Sequence, residues 1–158
     1  MVGKDSGLLH RYIRIAQIAT GVFFVFFGEY KVASGAFAHG GFAHYLDSYI
    51  QQTAVSFYRP VLAHLVLPHA IFFGYMVGVV ELFIGISMIF GIFVRAGSAV
   101  GALHMISLTL ATWWEPGHGV PFWRYFGAEL DHLPLLLLFV IFFAASADRK
   151  RAEGPRRS

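Results

Sequence analysis

Residues 70–94 read AIFFGYMVGVVELFIGISMIFGIFV, a run in which Glu81 is the one charged side chain. A helix needs about 20 mostly apolar residues to cross the hydrocarbon core of a bilayer. This run is long enough, so it predicts a transmembrane helix. Three further apolar runs are long enough or nearly so. Together the four runs predict helices at about residues 15–32, 70–94, 96–114 and 130–147.

The composition favours a membrane protein over a soluble one. Hydrophobic residues make up 57% of the 158 residues, charged residues make up 13%, and the mean hydropathy is +0.62. Soluble domains average about 25% charged residues, and a chain this short could not bury so much apolar surface in its own core. We therefore predict an all-α fold, an integral membrane four-helix bundle in one domain. The chain has no cysteine, which excludes disulfides, iron–sulfur clusters and thiol chemistry within it.

The basic residues indicate the topology. The net charge is +3, but Lys and Arg cluster beside the apolar runs, so we interpret them as topology signals and expect no nucleic-acid partner. Four helices place the N-terminus, the middle turn and the C-terminus on one side. That side carries Lys4, Arg11, Arg14, Arg95, Arg149, Lys150, Arg151, Arg156 and Arg157, and the other side carries Lys31, Arg59 and Arg124. The positive-inside rule then predicts that both termini are cytoplasmic, in a bacterial-type cytoplasmic (inner) membrane.

Three regions follow from this reading. Residues 1–14 form a cytoplasmic N-terminal segment, residues 15–147 form the four-helix domain, and residues 148–158 form a basic cytoplasmic tail. The first apolar run resembles a signal peptide, but it is too long for a typical one, so we expect a retained helix. Charged Glu29 and Lys31 also precede the small residues that resemble a cleavage site.

The first outer loop, residues 33–69, is too long for a bare linker. It contains two amphipathic stretches, residues 42–52 and 55–67, which predict helical segments in the extracytoplasmic loop. Such segments could lie on the membrane surface or fold back against the bundle. Pro134 is expected in the first turn of the fourth helix, where its missing N–H is harmless.

Glycines lie on one face of each of the first three helices. Small residues let a neighbouring membrane helix approach closely, so these faces should contact protein rather than lipid. The stripes consist of Arg14, Gly21, Gly28 and Gly35 on the first helix, Gly74, Gly78, Glu81 and Gly85 on the second, and Gly97, Gly101 and His104 on the third.

Glu81 and His104 are the candidate functional residues inside the bundle. Glu81 lies 12 residues after His69 and 14 before Arg95, which puts it near the bilayer midplane. His104 lies at a similar depth on the next helix, so we predict that the two side chains approach each other. The pair could fix helix register, or it could bind a quinone or a proton. Ligation of haem or chlorophyll by His104 is a weaker alternative, because no second His lies as deep.

Other polar residues lie near the helix ends. Arg124, Glu129, Asp131 and His132 predict a polar entrance or salt-bridge cluster at the mouth of the fourth helix. The outer His residues do not show the spacing typical of a metal site, so we predict none. Arg95 is most simply a cytoplasmic anchor, and it could also bind the carbonyls at a helix end.

Two spaced patterns resemble the DoxX family of small four-helix membrane proteins. The patterns are Arg14-x6-Gly21-x6-Gly28-x2-Lys31 and Glu81-x3-Gly85-x5-Gly91-x3-Arg95. The family includes the DoxD-type subunit of thiosulfate:quinone oxidoreductase and other small subunits that associate with membrane redox systems. The resemblance implies the fold, and it marks Glu81 and Arg95 as polar positions that could contribute to a site.

The leading hypothesis is a small subunit of a membrane-bound oxidoreductase or electron-transfer complex, not catalytic alone, that helps to form a quinone site. Its expected partners are membrane lipids and other membrane subunits, or further copies of itself. One alternative is a proton-coupled small transporter with Glu81 as its titrating group. The other is a purely structural or assembly protein.

Overall fold

The computed structural model describes the backbone of residues 2–113 and 122–152, with side chains for residues 7–113, 123, 126 and 130–146. All regular structure in these ranges is helical, which confirms the all-α prediction. The α-helices are α1 (Val2–Ala33), α2 (Phe42–Ser48), α3 (Arg59–Val61), α4 (Ala70–Phe90), α5 (Val94–Thr112) and α6 (Phe122–Ala152). The shorter turns are π-helical at Phe37–Gly41, Tyr49–Thr53 and Leu62–Val66, and 3₁₀ at Leu67–His69.

Three helical stretches are long and apolar enough to cross a membrane. They are Gly7–Ala33, Arg59–Phe90 and Val94–Thr112. The fourth predicted span corresponds to a shorter apolar helix, Leu130–Ser146, within the longer α6. The helical class and three of the spans therefore agree with the sequence.

The turn between α4 and α5 lies earlier than predicted. We expected a helix to residue 94 and a new one from residue 96, but α4 ends at Phe90 and α5 begins at Val94. Gly91 adopts a left-handed conformation (φ 71°) and donates its N–H to the Ser87 carbonyl at 3.0 Å, which closes the helix. The physical reason is that this glycine, although inside the apolar run, takes the C-terminal capping conformation.

The first and last helices of the chain, α1 and α6, are longer than predicted. Because α1 begins at Val2, most of the segment expected to precede it is helical. Because α6 runs from Phe122 to Ala152, Pro134 lies inside the helix, so its expected place in the first turn is wrong. The residues before Pro134 are polar and aromatic, and they continue the helix rather than form a loop. The tail beyond Ala152 lies outside the described residues.

Glycines bring α1 and α4 into backbone contact, as their spacing predicts. A Cβ added to Gly21 would lie 2.8 Å from the Gly85 carbonyl oxygen, and one added to Gly28 would lie 2.8 Å from the Gly78 carbonyl oxygen. Neither space admits a methyl group without separating the helices. The glycine stripes of α1 and α4 therefore face each other.

Large side chains fill the space between this pair and the pair formed by α5 and α6. Gly101 on α5 lies against the Phe139 ring, which a Cβ would meet at 2.6 Å. The core that joins all four helices consists of Phe24, Ile84, Met88, Met105, Phe139 and Phe142.

The outer loop folds back against the bundle rather than standing apart from it. Thr53 donates its hydroxyl to the Ala111 carbonyl at 2.6 Å, and Val55 donates its N–H to the Leu110 carbonyl at 3.0 Å. The Tyr58 hydroxyl contacts the Ser107 hydroxyl at 2.7 Å. These bonds attach the loop to the C-terminal part of α5, and aromatic side chains of the loop pack against a buried cluster there.

Candidate functional site

A buried carboxylate lies at the centre of the bundle. Glu81, on the glycine face of α4, is 5% exposed. Its Oε1 atom lies 3.4 Å from His104 Nε2, so the predicted approach of these two side chains is confirmed. The same Oε1 accepts a hydrogen bond from Lys31 Nζ at 2.5 Å. The site is therefore a cluster of three ionisable groups, Lys31, Glu81 and His104.

The sequence did not predict Lys31 as a member of this cluster. It lies in the last turn of α1, and its stem passes beside Gly78, where an added Cβ would meet Lys31 Cβ at 3.0 Å. A lysine side chain can lay its methylene stem along an apolar surface while its ammonium reaches a polar partner. The available signal was its spacing, because Lys31 follows Gly28 by three residues and so shares the glycine face.

Two polar atoms of this cluster have no hydrogen-bond partner in the described part of the chain. They are Glu81 Oε2 and His104 Nε2, and both are buried. The 3.4 Å approach of His104 to Glu81 is an ion-pair distance without hydrogen-bond geometry. Leaving such groups unsatisfied in an apolar interior is costly. Glu81 and His104, the residues that carry these atoms, both line an adjacent space.

That space is a cavity of about 740 Å³, which we call the aromatic cavity. Lys31, Glu81 and His104 form its polar wall. The Lys31 ammonium also lies 5.1 Å from the centroid of the Phe37 ring. The remaining wall is largely aromatic and includes Phe27, Tyr30, Phe37, Phe42, Tyr45 and Tyr49.

Two tyrosines of the outer loop stack at the rim of the aromatic cavity. The ring centroids of Tyr45 and Tyr49 are 6.4 Å apart with an interplanar angle of 29°. Burial raises the pKa of the Tyr49 hydroxyl above its ordinary value of 10.0, and the neighbouring Tyr45 raises it further. Tyr49 is therefore a neutral hydroxyl at physiological pH.

A second cavity, of about 610 Å³, lies on another side of Glu81 and reaches α6, so we call it the α6 cavity. Asp131 and His132 of the predicted entrance cluster line it, and Glu81 does too. His132 Nδ1 lies 3.2 Å from the Thr112 hydroxyl, and Asp131 is exposed. The side chains of Arg124 and Glu129 lie outside the described residues.

Arg95 lies apart from this cluster. It is on the first turn of α5, and its guanidinium carbon lies 4.6 Å from the centroid of the Phe143 ring. Arg14, not Arg95, binds the carbonyls at the end of α4. It donates to Met88 O at 2.8 Å and to Ile89 O at 2.6 Å. Among the described residues no hydrogen bond joins Arg95 to the end of α4, and its binding to the carbonyls of another helix end stays a prediction.

No protein-family model, curated protein or solved structure matches this chain. Among the described residues, no group of three His, Asp or Glu side chains could hold a metal ion.

Proposed function

We propose that this chain is a multi-pass protein of a bacterial-type cytoplasmic membrane, with four transmembrane helices and both termini in the cytoplasm. Three helical stretches have the length and hydropathy for spanning, and Leu130–Ser146 is the apolar part of a longer fourth helix. The excess of Lys and Arg at the end that carries both termini supports this orientation.

Cysteine labelling tests the orientation, because the natural sequence has no cysteine. The exposed positions Ser34 and Gly7 lie at opposite ends of α1. A membrane-impermeant maleimide should label Ser34→Cys in intact spheroplasts. It should label Gly7→Cys only after the membrane is permeabilised. Labelling of Gly7→Cys in intact spheroplasts would reverse the proposed topology.

For the activity, the aromatic cavity best fits the head group of a quinone or quinol. Its volume of about 740 Å³ lies within the range of about 300–1,000 Å³ for small-molecule sites. A protonated His104 nitrogen can donate to a quinone carbonyl, and the free Glu81 oxygen can accept from a quinol hydroxyl. Aromatic walls suit a flat ring. The observation that carries the proposal is that Glu81 and His104, each with a buried polar atom that has no partner among the described residues, both line this cavity.

The chain acts in this proposal as a small subunit of a membrane oxidoreductase or electron-transfer complex and is not catalytic alone. It has no cysteine, so a cysteine-ligated iron–sulfur cluster would have to lie in a partner. The resemblance of its spaced Gly, Glu and Arg residues to the DoxX family points the same way. The glycine-poor outer faces of the helices, which expose many Phe and Leu side chains, could contact lipids, other subunits or further copies.

Purification from native membranes tests the subunit role. Tagged protein extracted in a gentle detergent should carry a stoichiometric redox partner, identified by mass spectrometry and by the absorption spectrum of its cofactor. A control extraction in a harsh detergent should release that partner. A colourless assembly of this chain alone in the gentle detergent would contradict the subunit role.

A proton-coupled small transporter is the second candidate, because Glu81 borders both the aromatic cavity and the α6 cavity. It predicts substrate-dependent proton flux in quinone-free liposomes, lost in Glu81→Gln. A structural or assembly role predicts instead that Glu81→Gln and His104→Ala reduce assembly and leave turnover per assembled complex unchanged.

A further inference from the structure

A third cavity, of about 580 Å³, lies at the end of the bundle that carries both termini, and we call it the basic cavity. Its walls come from the N-terminal half of α1, the start of α5 and the last turns of α6. Its polar lining consists of His10, Gln17, Arg95 and Ser146. Gln17 is 3% exposed, so its amide is held inside the protein beside this space. The quinone proposal uses none of these residues.

Arg95 is the charged residue that lines the basic cavity among the described residues, apart from the titratable His10. The guanidinium carbon of Arg95 lies 4.6 Å from the centroid of the Phe143 ring. A guanidinium held against an aromatic ring keeps its planar fork of N–H donors available to a phosphate or carboxylate. Within the described part of the chain, no hydrogen bond or ion pair occupies the Arg95 donors. Arg14, by contrast, is committed to the α4 carbonyls.

The start of α5 adds to this preference for an anion. The helix begins at Val94 with no side-chain cap on its first N–H groups, and Val94 and Ala96 both line the basic cavity. The first N–H groups of a helix lack intrahelical partners and form the positive end of its dipole. The basic cavity therefore combines a guanidinium, a helix start and a buried amide.

An apolar surface adjoins the basic cavity. At the end of α4 and in the turn that follows it, Phe90, Ile92 and Phe93 are 68%, 51% and 74% exposed. Phe93 also lines the cavity. Bulky side chains this exposed would be unfavourable in water but suit contact with acyl chains at the membrane boundary. A ligand that binds both the basic cavity and this apolar surface has an anionic head group and an apolar tail.

We propose that the basic cavity binds the phosphate of an anionic phospholipid, with Arg95 as the main contact and the Phe90–Phe93 turn against its acyl chains. Basic pockets between transmembrane helices on the cytoplasmic side are suited to anionic lipid head groups. This site rests on the membrane location proposed above and does not depend on quinone binding. It would anchor α1, α5 and α6 to one leaflet and fix the depth of the bundle.

Titration of the purified full chain with short-chain lipids tests the proposal. Dihexanoyl phosphatidylglycerol, dihexanoyl phosphatidylcholine and inorganic phosphate are added separately in detergent, and binding is read by native mass spectrometry and by the shift in melting temperature. The wild type should bind phosphatidylglycerol in preference to the other two. Arg95→Gln should weaken that binding by about tenfold, the loss expected for a charge-assisted hydrogen bond.

Arg11→Gln is the matched control, because it removes the same charge from the same end of the bundle, at a position that is exposed like Arg95 but lies outside the basic cavity. It should leave phosphatidylglycerol binding within about twofold of the wild type, since Arg11 does not line the site that binds the phosphate. Equal losses in Arg11→Gln and Arg95→Gln would overturn the site. So would equal binding of phosphatidylglycerol and phosphatidylcholine by the wild type, a test that needs no variant. Inorganic phosphate bound as tightly as phosphatidylglycerol would overturn the lipid as ligand.

Discussion

Replacing Lys31 with methionine is expected to destabilise the folded protein by about 3–5 kcal/mol, the range for a buried ion pair that loses one partner. Lys31 and Glu81 are only 17% and 6% exposed at their side chains, so solvent screens their attraction little. Without the ammonium, Glu81 Oε1 loses its hydrogen bond while Oε2 already has none in the described residues. Unfolding by titration with a denaturing detergent would measure the loss.

Replacing Glu81 should reduce the stability of the folded protein less than replacing Lys31. In Glu81→Gln the remaining Lys31 can extend towards the nearer surface of the membrane, because it lies near the end of α1. In Lys31→Met the remaining carboxylate stays in the middle of α4. The double variant should therefore be more stable than Lys31→Met alone. Glu29→Gln, at an exposed position of the same helix, is the control and should change little. A Lys31→Met protein as stable as the wild type would show that the pair is not a buried ion pair.

Gly28→Leu is expected to disrupt the contact between α1 and α4. Its Cβ would lie 2.8 Å from both the Gly78 carbonyl oxygen and the Leu82 backbone nitrogen. These are backbone atoms, so relief requires the helices to separate rather than a side chain to turn. We expect a loss of about 3 kcal/mol, at the upper end of the usual range for overpacking. The measurement is again detergent-induced unfolding of the purified protein.

Gly7→Leu provides the control for this substitution. It introduces the same side chain into the same helix, at an exposed glycine with no atom within 4 Å of an added Cβ. It should be at least as stable as the wild type, because leucine favours a helix over glycine by somewhat less than about 1 kcal/mol. If both variants lost the same stability, close packing between α1 and α4 would not explain the effect, and the glycine stripe would have no special role.

Simple counting along the sequence predicted the centre of the site. Glu81 lies nine residues before the end of α4 and His104 ten residues after the start of α5. Two antiparallel helices that share one turn place such residues at equal depth whatever the turn's details. The predicted approach of Glu81 and His104 is therefore correct, although the predicted position of the turn between α4 and α5 was wrong by several residues.

Other features depended on side-chain reach and on local conformation, which spacing alone does not determine. Lys31 reaches Glu81 because a four-carbon stem crosses the gap between neighbouring helices. Gly91 ends α4 because it adopts a positive φ, although nothing in the apolar run marks it apart from other glycines. Pro134 lies within α6 because the polar residues before it remain helical. The outer loop packs on the bundle through hydrogen bonds to α5 that no local sequence pattern predicts.

The aromatic cavity also could not be read from the sequence. Its walls combine α1, the outer loop, α4 and α5, which are far apart in the chain. Only the tertiary arrangement shows that Tyr45 and Tyr49 lie over the same space as Glu81 and His104. This convergence is the basis of the proposed quinone site.

Equilibrium binding of decylubiquinone to the purified protein in nanodiscs tests that proposal most directly. Binding can be followed by quenching of the intrinsic aromatic fluorescence. The wild type and the Glu29→Gln control should bind with equal affinity. The Glu81→Gln/His104→Leu double variant should bind at least about tenfold more weakly, because both polar contacts to the head group are lost. Undiminished binding by a folded double variant would contradict the assignment of this cluster as the quinone site.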